Sequence, residues 1–450
     1  MSTPPAARPD FPSRTLTAQA TGTNRRCGAV RCGAVPQPLP RKTSLEEARV
    51  MPSPRTHFRA GFATADLTPD PGIQRVELSG YVVREQPAQG VRDRVQAAVL
   101  AIAAAGEAPT AIVGLDWCIL GQQAVARIVA ACPLPNDHVL LACSHTHAAP
   151  ATYPLLGCGD PDPAYERWAA VRIGDAVRRA VAEMVPCRLG WGRRPVADAP
   201  WGNRRAPGGA SDPRVHLLKV ERAESARRPV CAVWSVACHP VVLGPDNRLV
   251  SADWVGHVRQ ALPWPSLFLQ GFCGDQNPRR QGESAMEGWP DLAREVSALW
   301  NVTPTAHAGA FGWQRREVLL PRLLGDPVAT LPTTGRVGAA MRRWVAGAAR
   351  PGAVPSPTPA VVTAWRVHDG SAVFWPGEPH IPLALDLPAG TLGVGHTGAS
   401  VGYVPERAAY AQPGYEVGEA HRYYGFAAAL APEAGDALLA ASREMLAELS

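Results

Sequence analysis

Apolar residues along the chain occur in short continuous runs that alternate with stretches of helical spacing. The continuous runs predict strands at residues 97–104, 111–119, 138–143, 230–237 and 266–271. The helical spacing predicts helices at residues 121–131, 165–185, 253–262, 335–349 and 424–449. This alternation predicts an α/β fold with layered mixed β-sheets flanked by helices.

The N-terminal segment breaks this pattern. Residues 1–56 are rich in Pro, Ser, Thr and Arg and have almost no apolar periodicity, which predicts a disordered N-terminal extension. Arg-rich, acid-poor starts also occur in organelle transit peptides, but we favour an upstream start codon, with Met51 as the true beginning. Residues 57–450 are expected to form one large domain. Residues 350–359 have the composition of a linker, yet the strand pattern at 360–375 is too short for an independent domain.

Composition narrows the class of protein. With 450 residues, of which 46% are hydrophobic and 19% charged, the chain can bury a large core. It contains neither an apolar run of about 20 residues nor a signal-peptide pattern, so we expect no membrane span and a cytoplasmic protein. The net charge of +6 is modest and the arginines are scattered, so nucleic acid is not an expected partner. The sequence does not determine the oligomeric state.

The cysteines predict buried thiols rather than a scaffold. Ten cysteines in 450 residues are too dilute for a disulfide framework and lack the paired CxxC spacing of a zinc ribbon. Four of them lie in apolar runs and are expected to pack as small hydrophobic side chains: Cys143, Cys231, Cys238 and Cys273. Cys158, in a Gly-rich loop, is the one cysteine expected to line a site.

Candidate chemistry begins at the end of the strand predicted at residues 138–143. The sequence "SHTHAAP" places His145 and His147 two residues apart, where extended side chains share a face. A lone His-x-His arises often by chance, so it needs partners elsewhere in the chain.

Polar residues at other predicted strand ends supply such partners. These residues are His239 in "SVACHPVVL", Asp275 and Asn277 in "LQGFCGDQNP", Glu378 in "VFWPGEPH", and Tyr403 and Tyr415 in "GASVGYVPERAAYAQPGYEV". Imidazole, carboxylate and phenolic oxygen form a ligand set that suits Zn²⁺. Each residue also has a structural explanation, with His239 capping a strand, Glu378 holding a loop and Tyr403 packing in the core.

Several motifs, in this order along the chain, resemble a known family. The motifs "GFATADLTP", "SHTHAAP", "WGNRR", "ACHPVVLG", "FLQGFCGDQNP", "PGEP" and "GYVPERAAYAQPGYEV" are similar to those of the neutral/alkaline non-lysosomal ceramidase superfamily, specifically its catalytic domain. The resemblance runs from about residue 58 to the C-terminus. It implies one Zn²⁺ per chain, held by His145, His239, Glu378 and Tyr403.

The resemblance also implies catalytic roles. His147 would be the general base beside a zinc-activated water, and Arg204 and Tyr415 would stabilise the oxyanion of a tetrahedral intermediate. Ceramidases of this family have a serine at the position of Asn277, and that serine contacts the reacting region of the substrate. Asn277 can still donate a hydrogen bond through its amide, so we count it among the candidate catalytic residues. They also carry a C-terminal immunoglobulin-like domain, which we do not expect here.

These departures leave the substrate open. We expect a zinc-dependent hydrolase that cleaves the C–N amide bond of a small-molecule or lipid N-acyl amine smaller or more polar than ceramide. The alternatives are a true ceramidase, a zinc enzyme of another kind such as an ester or lactone hydrolase or a biosynthetic cyclase, and a non-catalytic binding protein. A long apolar groove near Cys158, Trp201 and Trp289 would favour a lipid, and a short polar one a small metabolite.

Overall fold

The computed structural model describes residues 48–50, 56–84, 86–225, 228–324, 331–332, 334–348 and 356–450. Most of the predicted N-terminal extension and residues 350–355 of the predicted linker lie outside the described residues. Within the described ranges, no helix has both the length and the apolar character needed to cross a membrane.

The strands and helices alternate irregularly along the chain. The strands are β1 (Ala48–Val50), β2 (Thr56–Asp66), β3 (Gly90–Val91), β4 (Gln96–Ala104), β5 (Thr110–Leu115), β6 (Val139–Cys143), β7 (Val185–Pro195), β8 (Trp201–Asn203), β9 (Arg214–Arg222), β10 (Pro229–Val236), β11 (Leu249–Val250), β12 (Ser266–Gln270), β13 (Gln276–Pro278), β14 (Ala308–Leu320), β15 (Thr358–His368), β16 (Gly370–Phe374), β17 (Glu378–Pro379), β18 (Thr391–Val394) and β19 (Tyr403–Val404). The helices are α1 (Gln122–Ala131), α2 (Pro163–Ala182), α3 (Trp254–Ala261), α4 (Pro290–Val302), α5 (Gly335–Gly347), α6 (Ile381–Leu385), α7 (Tyr415–Gly418), α8 (Ala420–Tyr423) and α9 (Glu433–Glu448).

Most of the strands form one large branched sheet. One part runs in the order β6-β5-β4-β2-β7-β9-β10-β12, and the other in the order β14-β15-β16-β18. The two parts are joined where β2 pairs with β14 over a short stretch. Strand pairs β5/β6, β10/β12 and β16/β18 are parallel, and the other neighbours in this sheet are antiparallel.

The alternation of side chains along each strand separates the core layers. In β4, Leu100 and Ile102 pack with Trp313 and Trp365 of the second part of the sheet, in a core between the two parts. The intervening Ala101 of β4 faces the other way and belongs to the cluster that α1 and α2 cover. The two parts of the sheet therefore pack face to face through large aromatic side chains.

Helices cover the outer faces of both parts. Clusters of buried apolar residues join α3 and α4 to β10, and α9 to β15. The long helix α2, predicted at residues 165–185, begins two residues earlier, at Pro163. The carboxylate of Asp162 accepts a hydrogen bond from the backbone N–H of Ala164 at 2.8 Å, and Pro163 occupies the first turn. The predicted α/β fold with layered mixed sheets flanked by helices is confirmed.

Several predicted segments differ from the structure. The strand predicted at residues 111–119 ends at Leu115. Residues 48–50, inside the predicted disordered extension, form a strand because their backbone pairs with β14. The predicted strand at 360–375 is the hairpin β15–β16, and β15 starts at Thr358 inside the predicted linker. The helix predicted at 424–449 begins only at Glu433, because the preceding residues form the loop that follows α8. Apolar composition alone does not mark these turns.

Candidate active site

The candidate site lies where the C-terminal ends of parallel strands meet. Backbone hydrogen bonds join the ends of β6 and β18 (Cys143 N–H to the oxygen of His396, 3.0 Å) and the ends of β12 and β10 (Gly271 N–H to the oxygen of Val236, 3.0 Å). Gln270 at the end of β12 is fully buried. Its Nε2 donates to the backbone oxygens of Ser144, at 2.8 Å, and Cys238, at 2.9 Å. One side chain therefore ties together the two loops that carry His145 and His239.

His145 and His239 are held in the tautomer that a metal ligand needs. The Nδ1 of His145 lies 2.9 Å from the backbone oxygen of Cys118, and the Nδ1 of His239 lies 3.0 Å from that of Gln276. A carbonyl oxygen only accepts, so each Nδ1 carries the proton and each Nε2 of a neutral ring has a free lone pair. His145 also has a φ of 70°, a conformation that β-branched and bulky residues rarely adopt and that here directs its loop.

Both Nε2 atoms converge on one carboxylate oxygen. The Nε2 atoms of His145 and of His239 each lie 3.3 Å from Oε2 of Glu378. The three ligand atoms lie within 4.8 Å of one another, and all three residues are buried. Atoms bound at about 2.0–2.1 Å to a tetrahedral Zn²⁺ lie about 3.3–3.4 Å apart. The spacing and chemistry of this donor set therefore fit a Zn²⁺ ion.

Two tyrosines adjoin Glu378. β17 and β19 pair in parallel with Glu378 opposite Tyr403, so both side chains leave the same face of this two-stranded ladder. The hydroxyl of Tyr424 donates to Oε1 of Glu378. The rings of Tyr403 and Tyr424 are 6.3 Å apart. The structure thus places Tyr403 beside the carboxylate and adds Tyr424, which no motif had indicated.

His147 lies next to the two histidines without joining the cluster with Glu378. Its Nε2 is 3.3 Å from Nε2 of His145. Burial lowers the pKa of His147 well below its ordinary value, and the neighbouring His145 and His239 lower it further. Among the described residues its Nδ1 has no hydrogen-bond partner. Burial and the neighbouring histidines therefore favour the neutral imidazole of His147.

Neighbouring charges shift the pKa values of the histidines in the cluster. Burial disfavours a charged His145, but the Glu378 carboxylate outweighs burial and holds the pKa of His145 well above its ordinary value. Burial and then Arg204 lower the pKa of His239 to about 4. A cation bound at Glu378 would compete with a proton on His145.

Arg204 connects this centre to the surrounding cavities. Its Nη2 donates to the hydroxyl oxygen of Tyr403 at 3.0 Å, its Nε to Glu416 at 2.9 Å, and its Nη1 to Oδ1 of Asn277 at 3.4 Å. Burial opposes the charge of Arg204, but Tyr403 and Glu416 outweigh it and raise the guanidinium pKa. Tyr415, 44% exposed, lies with its ring 5.9 Å from that of Tyr403.

His396 is a further member of the site that the sequence analysis missed. Its ring stacks on that of His145 with centroids 3.9 Å apart, and its Nε2 lies 3.4 Å from Sγ of Cys273. The signal was present, because "TLGVGH" repeats the arrangement of "LLACSH", an apolar strand followed by a small residue and a histidine. Asp275, which the sequence analysis also found at a strand end, lies outside the cluster. Its carboxylate accepts hydrogen bonds from Asn203 at 2.8 Å and from the backbone N–H of Ile381 at 2.8 Å, and so links the segments around the site.

The three residues expected near a substrate groove, Trp201, Trp289 and Cys158, are all buried. Trp201 and Trp289 are buried in the core against each other, with ring centroids 6.2 Å apart, so they line no groove. Cys158 is buried in a cluster with Tyr403 and Tyr424, and burial raises its pKa to about 12. The four cysteines of the apolar runs, Cys143, Cys231, Cys238 and Cys273, are buried as predicted. A cavity of about 810 Å³ instead opens beside Arg204, Tyr415 and Glu416.

Comparison with known proteins identifies the fold. No family model and no curated protein matches the sequence. Two solved structures share the fold over 88% of this chain. A ceramidase complexed with C2 is 17% identical, with a TM-score of 0.69 over 75% of its chain. Neutral ceramidase from Pseudomonas aeruginosa is 18% identical, with a TM-score of 0.66 over 74% of its chain. The chain therefore has the fold of the neutral ceramidases.

Proposed function

We propose that this protein is a zinc-dependent hydrolase that cleaves the C–N amide bond of an N-acyl amine. The observation that carries the proposal is the convergence of the Nε2 atoms of His145 and His239 on one oxygen of Glu378, each at 3.3 Å. Both rings are fixed by backbone carbonyls, and the surrounding groups are buried. Ligands gathered from distant strand ends on a rigid scaffold are typical of catalytic rather than structural zinc sites.

The residues that would hold Zn²⁺ are His145, His239 and Glu378, with the phenolic oxygen of Tyr403 as the fourth ligand. A bound Zn²⁺ supplies a Lewis acid and makes hydroxide available near neutral pH. The chain must then supply a proton acceptor, and His147 is the neutral base beside the cluster. It would accept a proton from water and deliver it to the leaving amine.

Arg204 and Tyr415 would stabilise the negative charge that develops on the amide oxygen. Arg204 is cationic, and Glu416 and Tyr403 hold its guanidinium in place. Preorganised donors in a buried site are worth more than the same donors in water, because they do not reorganise during the reaction. Tyr415, partly exposed at the cavity wall, can add a phenolic hydrogen bond to the substrate.

Metal analysis combined with a carboxylate substitution tests the proposal. Glu378→Ala should remove bound zinc and amidase activity together, because a site that loses one ligand loses both affinity and geometry. Glu416→Ala is the matched control, since Glu416 is a buried carboxylate that pairs with Arg204 and Arg205 outside the ligand cluster. It should keep stoichiometric zinc. A Glu378→Ala protein with one zinc per chain would contradict the assignment.

Hydrolysis of ceramide itself is a second candidate function, favoured by the fold shared with two ceramidases. Asn277, where the family pattern has a serine, weighs against it. Comparing long-chain ceramide with short N-acyl amines as substrates separates the two candidates.

A further inference from the structure

A second cavity adjoins the candidate active site on the side of Asn277. It has a volume of about 320 Å³, and its polar lining includes Arg204, Asn277, Arg279 and Gln281. No acidic residue is among those that line it. The larger cavity on the other side of Arg204 differs, because carboxylates such as Glu416 share its wall with the arginines. The smaller cavity is therefore a positively charged pocket.

Arg279 is held in a fixed position in this pocket. Its backbone N–H donates to the oxygen of Pro200 at 2.8 Å, and its Nε–H donates to the oxygen of Ala199 at 3.1 Å. The guanidinium lies over Gly202, where a Cβ would stand 3.3 Å from Cζ. Among the described residues, Nη1 and Nη2 of Arg279 have no hydrogen-bond or ion-pair partner. The guanidinium is therefore fixed through Nε, and its Nη1 and Nη2 can donate hydrogen bonds to a ligand.

Asn277 and Gln281 complete the pocket and connect it to the reaction centre. Oδ1 of Asn277 accepts from Arg204, which itself contacts Tyr403, so one side chain separates the pocket from the candidate metal ligands. The amide nitrogen of Asn277 remains as a donor. Pairing of β13 with β8 sets Asn277 opposite Gly202, beneath the Arg279 guanidinium. Gln281 donates its Nε2 to the oxygen of Val241 at 3.0 Å, which fixes its position.

We infer that this pocket binds an anionic substituent of the substrate, a carboxylate or a phosphate, and that Arg279 determines this specificity. The inference rests on the proposed amidase function and names its substrate class as N-acyl amines with a negative charge, such as N-acyl amino acids. A planar guanidinium with two free N–H groups matches a carboxylate or phosphate in bidentate geometry. A neutral hydroxyl offers no comparable partner. Glu416 already pairs with Arg204, but no carboxylate lines the pocket to neutralise Arg279.

Matched substrates and neighbouring arginines test this inference. The substrates are N-octanoylglycine, N-octanoyl-γ-aminobutyrate, the carboxamide of each, and N-octanoyl-O-phosphoethanolamine. The variants are Arg279→Gln and, as the control, Arg280→Gln, because Arg280 is also exposed but does not line the pocket. We expect kcat/KM of the zinc-containing wild type to be about tenfold to hundredfold higher for one anionic class than for the carboxamides, the range of a charge-assisted hydrogen bond.

Arg279→Gln should remove this preference mainly through KM, and Arg280→Gln should retain it. The inference is overturned if the wild type hydrolyses acids and carboxamides equally well, or if Arg279→Gln lowers both to the same extent. Calorimetric binding of the same compounds gives an independent readout. Preferential binding of the anions that depends on Arg279, without hydrolysis of any amide, would contradict the proposed function and support the pocket. Equal binding of acids and carboxamides would overturn the pocket.

Discussion

The imidazole of His147 occupies the space where a side chain at Gly80 would stand. A Cβ built on Gly80 would collide with Cγ and Nδ1 of His147, and the φ of Gly80, 100°, lies in the region that favours glycine. The next residue, Tyr81, packs edge-on against His147 with ring centroids 4.9 Å apart. Arg84 donates to the backbone oxygen of His147 at 2.8 Å. The segment from Gly80 to Arg84 therefore sets the position of the candidate general base.

Replacing Gly80 with alanine should displace the His147 ring. We expect kcat to fall by about tenfold to hundredfold, since misplacing a catalytic group by about 1 Å has effects of this size, while the zinc content stays at the wild-type level. Gly106→Ala is the matched control, because Gly106 also has a positive φ, 90°, but nothing lies within 4 Å of its Cβ position. Alanine at either position must adopt a positive φ, so both variants carry a similar backbone strain of about 1–2 kcal/mol. Equal losses of activity in the two would assign the effect to strain alone.

His147→Asn should leave zinc bound and lower kcat by about two to four orders of magnitude, the contribution of a positioned general acid/base. His147 lies beside the cluster of His145, His239 and Glu378, and it also belongs to a second group of possible metal ligands with Cys118 and His145. His145→Asn, two residues away, should lose the metal. Zinc analysis and turnover measured on the same preparations check both expectations, and loss of zinc from His147→Asn would make this residue a ligand.

Asn277 should limit activity on ceramide. Its Oδ1 accepts a hydrogen bond from Arg204, a contact that the shorter serine side chain does not reproduce. Sites arranged for one pattern of polar groups reject substrates that leave donors unpaired. We expect kcat/KM of the wild type for long-chain ceramide to be at least about tenfold below that for short N-acyl amines, and Asn277→Ser to narrow the difference. A wild type that prefers ceramide, unchanged by the serine substitution, would refute this expectation.

Asp212 should make stability depend on acid pH. Its Oδ1 accepts from Nε of Arg214 at 2.6 Å, and its Oδ2 lies 3.6 Å from Nε2 of His216. Burial opposes ionisation, but His216 and Arg214 outweigh it and hold the pKa of Asp212 below its ordinary value. For an acid with a depressed pKa in the folded state, the stabilisation is present above the unfolded pKa of about 3.9 and is lost as the pH falls below it.

Urea unfolding at pH 5 and pH 2 measures the acid-dependent stabilisation by Asp212. Between these pH values the wild type should lose about 1–2 kcal/mol more unfolding free energy than Asp212→Asn, which lacks the titrating group. Asp246→Asn, at an exposed position, serves as the control and should follow the wild type. If Asp212→Asn shows the same acid sensitivity as the wild type, then the contacts with Arg214 and His216 do not contribute to it.

The sequence by itself determined the local elements and the types of ligand. Apolar runs such as residues 97–104 became buried strands, because a strand that is apolar on both faces is stabilised by burial whichever elements cover it. His145, His239 and Glu378 were recognised because each is a polar residue directly after such a run, and the motifs around them resemble those of ceramidases. Fold class and candidate metal ligands were therefore accessible before any tertiary structure was known.

Only the tertiary structure decided how these residues meet. Gln270 links the loops that carry His145 and His239, His396 stacks on His145, and the missing side chain of Gly80 leaves room for the His147 ring. These contacts join residues tens to hundreds of positions apart, and nothing local in the sequence encodes such separations. The positive pocket around Arg279 has the same origin, since it exists only because β8 pairs with β13 and brings Gly202 beneath the guanidinium. Composition fixes which groups are available, and packing between distant strands fixes the distances on which their chemistry depends.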